Sequence, residues 1–246
     1  MKITSVNNDL VKNTAKLLKS KYRDESGLFL IEGEKGVQEA ITAGVKIKHI
    51  FALEETESYA QNEVIETTNA VLSKISDAKS APKVIAVAYQ IERNLNELDD
   101  AKRVVLLEGI KDAGNLGTIL RTACAFGIEA VVLYGDTVDL YNPKTVRSAV
   151  GNLWKIPVFK IKDLETLKDK FGNFERVATL PKPENVIGLK EYVPAEKTLI
   201  MFGSEAEGLS EDLKILATKN LTIEMDSDVE SLNLSVSAAV IMYKMM

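Results

Sequence analysis

Apolar positions follow two alternating periods along the chain. Short runs of β-branched and aliphatic residues fall at 28–31, 48–52, 84–89, 104–107, 130–134, 158–161, 176–180, 198–202 and 221–223. Their lengths and polar borders predict strands. Between them apolar residues recur every three to four positions, which predicts helices at 8–20, 33–43, 116–126, 144–150, 164–170, 213–217 and 232–246. Asn7 or Asn8 caps the first helix, Gly44 ends the second, and Pro143 suits the first turn of the helix at 144–150. The last helix carries Leu232, Val236, Ala239, Val240 and Tyr243 on one face. Polar helix and turn are expected between 52 and 84. Strands alternating with helices predict an α/β fold whose sheet is mostly parallel and covered on both sides.

One stretch interrupts the pattern. From Gln90 to Lys102 the chain is rich in Asn94, Asn96, Glu97, Asp99 and Asp100. It reads either as a linker or as a helix capping the first domain. The linker reading divides the chain into a small α/β domain at 1–92, a connection at 93–102 and a larger domain at 103–246.

Composition narrows the class. The chain has 246 residues, 46% of them hydrophobic, enough for a core without covalent staples. One cysteine, Cys124, excludes an internal disulfide. No apolar run approaches the ~18 residues of a membrane span. The start of the chain lacks the apolar core of a signal peptide, so a soluble cytoplasmic protein with no membrane partner is expected. A formal net charge of −5 argues mildly against nucleic acid. Residues 1–23, however, hold Lys2, Lys12, Lys16, Lys19, Lys21 and Arg23 against Asp9. Such a patch is either a phosphate-contacting surface or a solvated helix face. One histidine, His49, and one cysteine cannot build a zinc site or a Cys–His pair, so no metal is expected.

Candidate chemistry collects where parallel sheets bind ligands, at the carboxyl ends of strands. Thr179-Leu180-Pro181, the loop opened by Gly203, and Asp226-Ser227-Asp228-Val229 all fall there. Gly203 and Gly208 permit close backbone approach. These loops read as turns or as the walls of a small-ligand site. The segment Lys111 to Gly117 comes nearest a dinucleotide fingerprint but lacks the third glycine, and no phosphate-loop Lys-Ser/Thr pair follows. Arg121 stands on a helix otherwise apolar or small. It either pairs with a carboxylate such as Glu205 or meets a phosphate or substrate oxygen.

Three segments, read together, carry a resemblance. They are Asn115-Leu116-Gly117-Thr118-Ile119-Leu120-Arg121, Met201-Phe202-Gly203-Ser204-Glu205-Ala206-Glu207-Gly208-Leu209-Ser210, and Glu230-Ser231-Leu232-Asn233-Leu234-Ser235-Val236-Ser237. In order and separation they resemble the three signature motifs of the SpoU/TrmH family of SPOUT methyltransferases. Tyr141 to Gly151 is similar to a further family segment, and Phe29-Leu30-Ile31-Glu32-Gly33 looks like part of the family's substrate-binding domain. The resemblance implies a C-terminal SPOUT domain tied in a deep trefoil knot, behind a small N-terminal α/β substrate-binding domain. It implies methylation of ribose 2′-hydroxyls in ribosomal or transfer RNA with S-adenosyl-L-methionine, and a homodimer through the C-terminal domain. By the same resemblance Arg121 lies near the reacting hydroxyl, oriented by Asn115 and Glu205, and acts as base or as oxyanion stabiliser. Ser231 and Asn233 hold the RNA phosphate; Ser231 alternatively only caps its helix. Thr179, Leu180, Gly203, Ile223, Met225 and Leu232 form the cofactor site.

The chain departs from the family pattern at Ala113, Ser204, Glu224 and Ser227. The last two bear on cofactor affinity, and they motivate a second reading, a knotted RNA-binding protein without methyltransferase activity. A third reading is an α/β enzyme using nicotinamide or ATP. The apolar last helix serves either the core or the dimer interface.

Overall fold

The computed structural model describes residues 1–53, 59, 62–181, 186–226, 228 and 231–246. Its contacts divide the chain into two units. One comprises Met1–Glu92 with Asp139–Lys155, the other Arg93–Val138 with Ile156–Met246.

The first unit opens with β1 (Lys2–Ile3), α1 (Asp9–Lys16), α2 (Ser20–Ser26), β2 (Leu28–Glu32), α3 (Glu34–Thr42), β3 (Ile47–Ala52), β4 (Val64–Thr67), α4 (Asn69–Lys74) and β5 (Val84–Tyr89). The strands form a mixed sheet in the order β1-β4-β3-β5-β2. Its apolar core gathers Val11, Leu30, Phe51, Ile65, Leu72 and Ile85.

The single helix expected at 8–20 is two helices. Asn8 caps α1 by accepting from the Leu10 amide at 2.9 Å. The break that follows has a cause in α2. Arg23 is 1% exposed, and its Nη1 donates to the Leu17 carbonyl at 2.7 Å, while its Nε donates to Asp139 at 2.6 Å. A carbonyl that would have continued the helix instead receives a buried guanidinium. Arg23 is therefore not part of a basic surface. Where polar helix and turn were expected, β4 pairs in parallel with β1 and β3. Only Ile65 and Thr67 of that strand are buried, and Thr67 is held by a hydrogen bond from its hydroxyl to the Ile3 carbonyl, 2.7 Å.

The second unit begins with a capped 3₁₀ turn, Leu95–Leu98, closed by a reciprocal box between Asn94 and Glu97. It lies inside the polar stretch read as a linker, and Leu98 joins the second unit's core. Then follow β6 (Arg103–Glu108), α5 (Ala113–Ala125) and β7 (Ala130–Tyr134). The chain next contributes α6 (Pro143–Ala149) to the first unit. It resumes with β8 (Val158–Ile161), α7 (Leu164–Phe171), β9 (Glu175–Thr179), β10 (Ile187–Gly188), β11 (Thr198–Phe202), α8 (Glu211–Leu216), β12 (Lys219–Thr222) and α9 (Leu234–Lys244).

These seven strands order as β10-β12-β9-β11-β6-β7-β8, and each pairing is parallel. The expected α/β architecture with a mostly parallel sheet is what the structure has. From β6 the chain runs outward through β7 and β8, then returns to the other side of β6 with β9 and β11. The strand order therefore reverses between β6 and β11, the place where open parallel sheets bind ligands. All five residues of β11 are buried, so this central strand is a rigid platform for the loop that leaves its end.

Candidate active site

The loop after β11 is tightly closed. The Ser204 amide donates to the Gly208 carbonyl at 3.2 Å and the Gly208 amide returns to Ser204 at 3.0 Å. The Ser204 hydroxyl accepts from the Glu207 amide at 3.1 Å. Gly208 takes φ +70°, a conformation that favours glycine. Gly203 has a different reason to be glycine. A Cβ there would fall 1.9 to 2.2 Å from backbone atoms of Gly208 and Leu209. The loop can fold back over the strand end only because residue 203 has no side chain.

Two further strand ends stand beside it. The Thr179 hydroxyl donates to the Met201 carbonyl at 2.9 Å, and the Leu180 amide donates to Leu221 at 2.9 Å. The Thr222 hydroxyl reaches the Pro181 carbonyl at 3.0 Å. The ends of β9, β11 and β12 are thus sewn to one another. Together with the start of α9 they enclose a cleft of about 740 Å³. All six residues expected at a cofactor site, Thr179, Leu180, Gly203, Ile223, Met225 and Leu232, line it, as do Glu205, Ser231 and Asn233.

A hydrogen-bonded chain ties the three motifs. Asp112 caps α5 by accepting from the Asn115 amide at 2.8 Å, which fixes Asn115 in the first turn. Asn115 Nδ2 donates to Glu205 Oε1 at 2.7 Å. Asn233 Nδ2 donates to Asn115 Oδ1 at 3.3 Å, and Asn233 Oδ1 accepts from the Ser235 amide at 2.9 Å and hydroxyl at 2.6 Å. Asn233 is therefore the cap of α9; the helix starts later than position 232, and the cap is not Ser231.

Arg121 stands apart from this chain. It is exposed and makes no ion pair or hydrogen bond among the described residues. Glu205, its proposed orienting partner, is engaged by Asn115 instead.

Glu224 does not line the cleft. Its carboxylate accepts from the Lys190 amide at 3.2 Å, and a Cβ on Gly188 would run into it. Backbone N–H groups, its own first and then that of Lys190, hold this carboxyl below the usual range. Substitution of a carboxylate at this position thus joins β12 to the turn after β10 rather than placing charge at the cleft. Ser227, Val229 and Glu230 lie outside the described residues.

Sequence reading did not find Glu108, which accepts from the Ser210 amide at 2.7 Å and anchors the far end of the Gly203 loop. Nor did it find Lys214, Ser237 and Ile241, which complete the cleft wall. The spacing of Leu234, Ser237 and Ile241 places them on one helix face, but only the topology brings that face to the cleft. The face expected for core or interface, with Val236, Val240 and Tyr243, is exposed; Ser235, Ala238, Ile241 and Met242 are the buried positions.

A cleft at the strand ends of an all-parallel sheet, beside the point where the strand order reverses and walled by apolar, polar and charged side chains, defines an α/β protein that binds ligands at the carboxyl edge of its sheet. The family is narrower. The sequence model of the SpoU rRNA Methylase family matches residues 102–243, and the chain belongs to that family. An MRM3-like substrate binding domain matches residues 8–86. The chain is 32% identical to the 23S rRNA (guanosine(2553)-2′-O)-methyltransferase RlmP of Bacillus subtilis, over 98% of this chain and 97% of that protein. Its fold superposes on an AdoMet-bound rRNA methyltransferase from Sinorhizobium meliloti with a TM-score of 0.91 and 27% identity, covering 99% of this chain and 96% of that one. An RNA 2′-O ribose methyltransferase is 33% identical with a TM-score of 0.83, covering 99% and 97%.

Proposed function

We propose that the protein transfers a methyl group from S-adenosyl-L-methionine to a ribose 2′-hydroxyl of ribosomal or transfer RNA. The observation that carries this reading is the Ser235–Asn233–Asn115–Glu205 hydrogen-bonded chain at the rim of the cleft, built from the three motifs of the family to which the chain belongs. Relatives of known activity are RNA 2′-O-methyltransferases, which supports the reaction and the substrate class. Neighbouring folds crystallised with AdoMet support the cofactor.

The cleft residues fit that cofactor. Leu180, Ile223 and Leu232 offer apolar surface for a flat adenine, and the bare backbone at Gly203 leaves amide and carbonyl groups unscreened by a side chain. Thr179 and Met225 complete the holding set. When bound, S-adenosyl-L-methionine supplies an electrophilic methyl on a sulfonium. The chain's own residues do the rest. Arg121, a charged guanidinium whose N–H groups are uncommitted among the described residues, stabilises negative charge as it develops on the ribose oxygen, whose proton passes to water. Asn115, braced by Glu205 and Asn233, fixes the first turn of the helix that carries Arg121. Ser231, exposed at the approach to α9, meets the RNA phosphate alongside Asn233. Holding both reactants in line supplies much of the acceleration.

The first unit recruits the RNA, with Lys12, Lys16, Lys19 and Lys21 as its basic surface. The cleft loops belong to a trefoil knot, a reading supported by membership of the family. The exposed apolar stripe of α9, with Val236 at 47%, Val240 at 40% and Tyr243 at 67%, is the homodimer surface. No helix among the described residues is long and apolar enough to cross a membrane, and the working location is the cytoplasm.

The test pairs two measurements on the intact protein. Calorimetry reads cofactor binding, and ribose-methylation mapping of total RNA with and without the protein reads transfer. Binding together with a new 2′-O-methyl position is the expected result. Absence of both would overturn the reading.

A further inference from the structure

A second cavity, of about 610 Å³, lies wholly in the first unit. It is walled by the end of β2 and the start of α3, by the turn before β5, and by α6 with the segment that follows it. Its wall holds two buried polar atoms with no hydrogen-bond partner among the described residues, Oε1 of Glu32 and Nε1 of Trp154. The Glu32 side chain is 2% exposed and Trp154 is 7% exposed. The other carboxylate oxygen of Glu32 is engaged, accepting from Arg147 at 2.8 Å and from the Ser76 hydroxyl at 3.0 Å. Arg147 also pairs with Asp77. Burial pushes the Glu32 carboxyl up, against the opposing pull of that guanidinium.

A buried donor or acceptor left unmade costs about 1–3 kcal/mol, and native folds hold few of them. Here an acceptor and a donor lie just beneath the wall of the same cavity. A third cost stands beside them. Val150, also in the wall and 37% exposed, has φ +47°, and among the described residues it is the one non-glycine with positive φ. For a β-branched side chain this conformation is strained by about 1–3 kcal/mol. Two of the three unmet buried side-chain atoms among the described residues, the third being His49 Nε2, fall at this cavity together with the strained residue, a combination that marks a surface shaped for a ligand.

The chemistry of the wall selects among ligands. A free carboxylate or phosphate would face the Glu32 carboxylate. A simple cation would compete with Arg147 and leave the indole N–H unmet. A nucleobase that turns these two side chains toward itself meets both orphan groups, because its edge carries N–H donors and lone pairs while its faces suit apolar surface such as Trp154 and Pro82. Lys35 and Lys83, both exposed and both in the wall, match the phosphates on either side of such a base.

We propose that this cavity receives an unpaired nucleobase of the RNA substrate, which donates an N–H to Glu32, accepts from the Trp154 indole, and leaves its flanking phosphates to Lys35 and Lys83. The proposal rests on the reading of the protein as an RNA-modifying enzyme and adds to it a base-reading site in the first unit.

Trp154 is the sole tryptophan of the chain, so intrinsic fluorescence reports this cavity. The full-length protein is titrated with unpaired oligoribonucleotides carrying each of the four bases at a central position, and with a strand of equal length whose central ribose is abasic. A saturable fluorescence change with at least one base and none with the abasic strand is expected. Trp154→Phe removes an N–H that has no partner among the described residues, so it should leave thermal stability nearly unchanged while weakening a labelled base-bearing strand about tenfold by anisotropy. Equal responses to base-bearing and abasic strands would reduce the site to phosphate attraction and overturn the proposal; so would no response to any strand. Cofactor calorimetry and methylation mapping on the same preparation keep the two readings separate. A protein that methylates RNA while Trp154 stays silent loses only this inference. One that shows base-dependent fluorescence but neither binds cofactor nor methylates loses the catalytic reading instead.

Discussion

Arg121 and Asn115 share α5, yet their surroundings differ completely. Asn115 is consumed by structure, with both ends of its amide bonded to other motifs. Arg121 is exposed and makes no bond within the described chain. A side chain with five donors and no internal task has nothing to stabilise when the protein is empty of substrate, so its removal should leave the fold intact. Arg121→Ala is expected to keep cofactor affinity within error by calorimetry and to lower single-turnover methyl transfer about 10²–10³-fold, the usual cost of losing one oxyanion donor. Unchanged transfer would remove Arg121 from the chemistry. The choice left open by the sequence, ion pair or uncommitted cation, depends on which face of the helix meets the Gly203 loop. No spacing rule within one helix contains that information.

Elements divide the labour of the cleft between rigid strands and two backbone devices, the Gly203 loop and the capped start of α9. Gly203→Ala places a methyl group against the backbone of Gly208 and Leu209. Neither neighbour is a side chain that can swing aside, so a loss of about 1–3 kcal/mol in denaturant stability, with weaker cofactor binding by calorimetry, is expected. Asn233 does two jobs, and they can be separated. Asn233→Ala should cost about 1 kcal/mol of stability through the lost cap and also impair methyl transfer. Asn233→Ser restores a good cap but is too short to reach Asn115; stability should recover while transfer does not. Recovery of both would mean that the link to Asn115 has no catalytic consequence. Strands such as β6, β7 and β11 were readable because they are continuous apolar runs buried on both faces. β4 was not, because two of its four positions, Glu66 and Thr67, are polar, and its apolar Val64 is only partly buried. The break between α1 and α2 was hidden for another reason. It is caused by Arg23 and by Asp139, a residue remote in the chain. Cleft residues lying in motifs could be named in advance, whereas Glu108 and Lys214 reach the site through topology alone.

For the whole molecule, the informative surface is the outer face of α9. The far end of that helix is fastened, with Arg103 donating to the Met245 carbonyl at 3.2 Å and the Phe126 and Tyr243 rings packed edge to face at 5.5 Å. The stripe of Val236, Val240 and Tyr243 is nonetheless left to solvent. A firmly held helix that exposes its apolar face is suited to a second copy of the chain. Val240→Glu is expected to halve the mass seen by sedimentation equilibrium and to leave the circular dichroism spectrum unchanged. A wild-type protein that sediments as a monomer would show that the stripe has another use.

The boundary between the two units is crossed at 92/93, 138/139 and 155/156. Buried Arg23 depends on Asp139 for its counter-charge, and Glu32 depends on Arg147. A ribosome making this polypeptide releases the first ninety or so residues well before those partners emerge, and leaving a buried charge unmatched costs about 3–5 kcal/mol. The amino-terminal part of the nascent chain must therefore stay incompletely formed until the middle of the message has been translated, which makes maturation of the first unit wait on synthesis of part of the second.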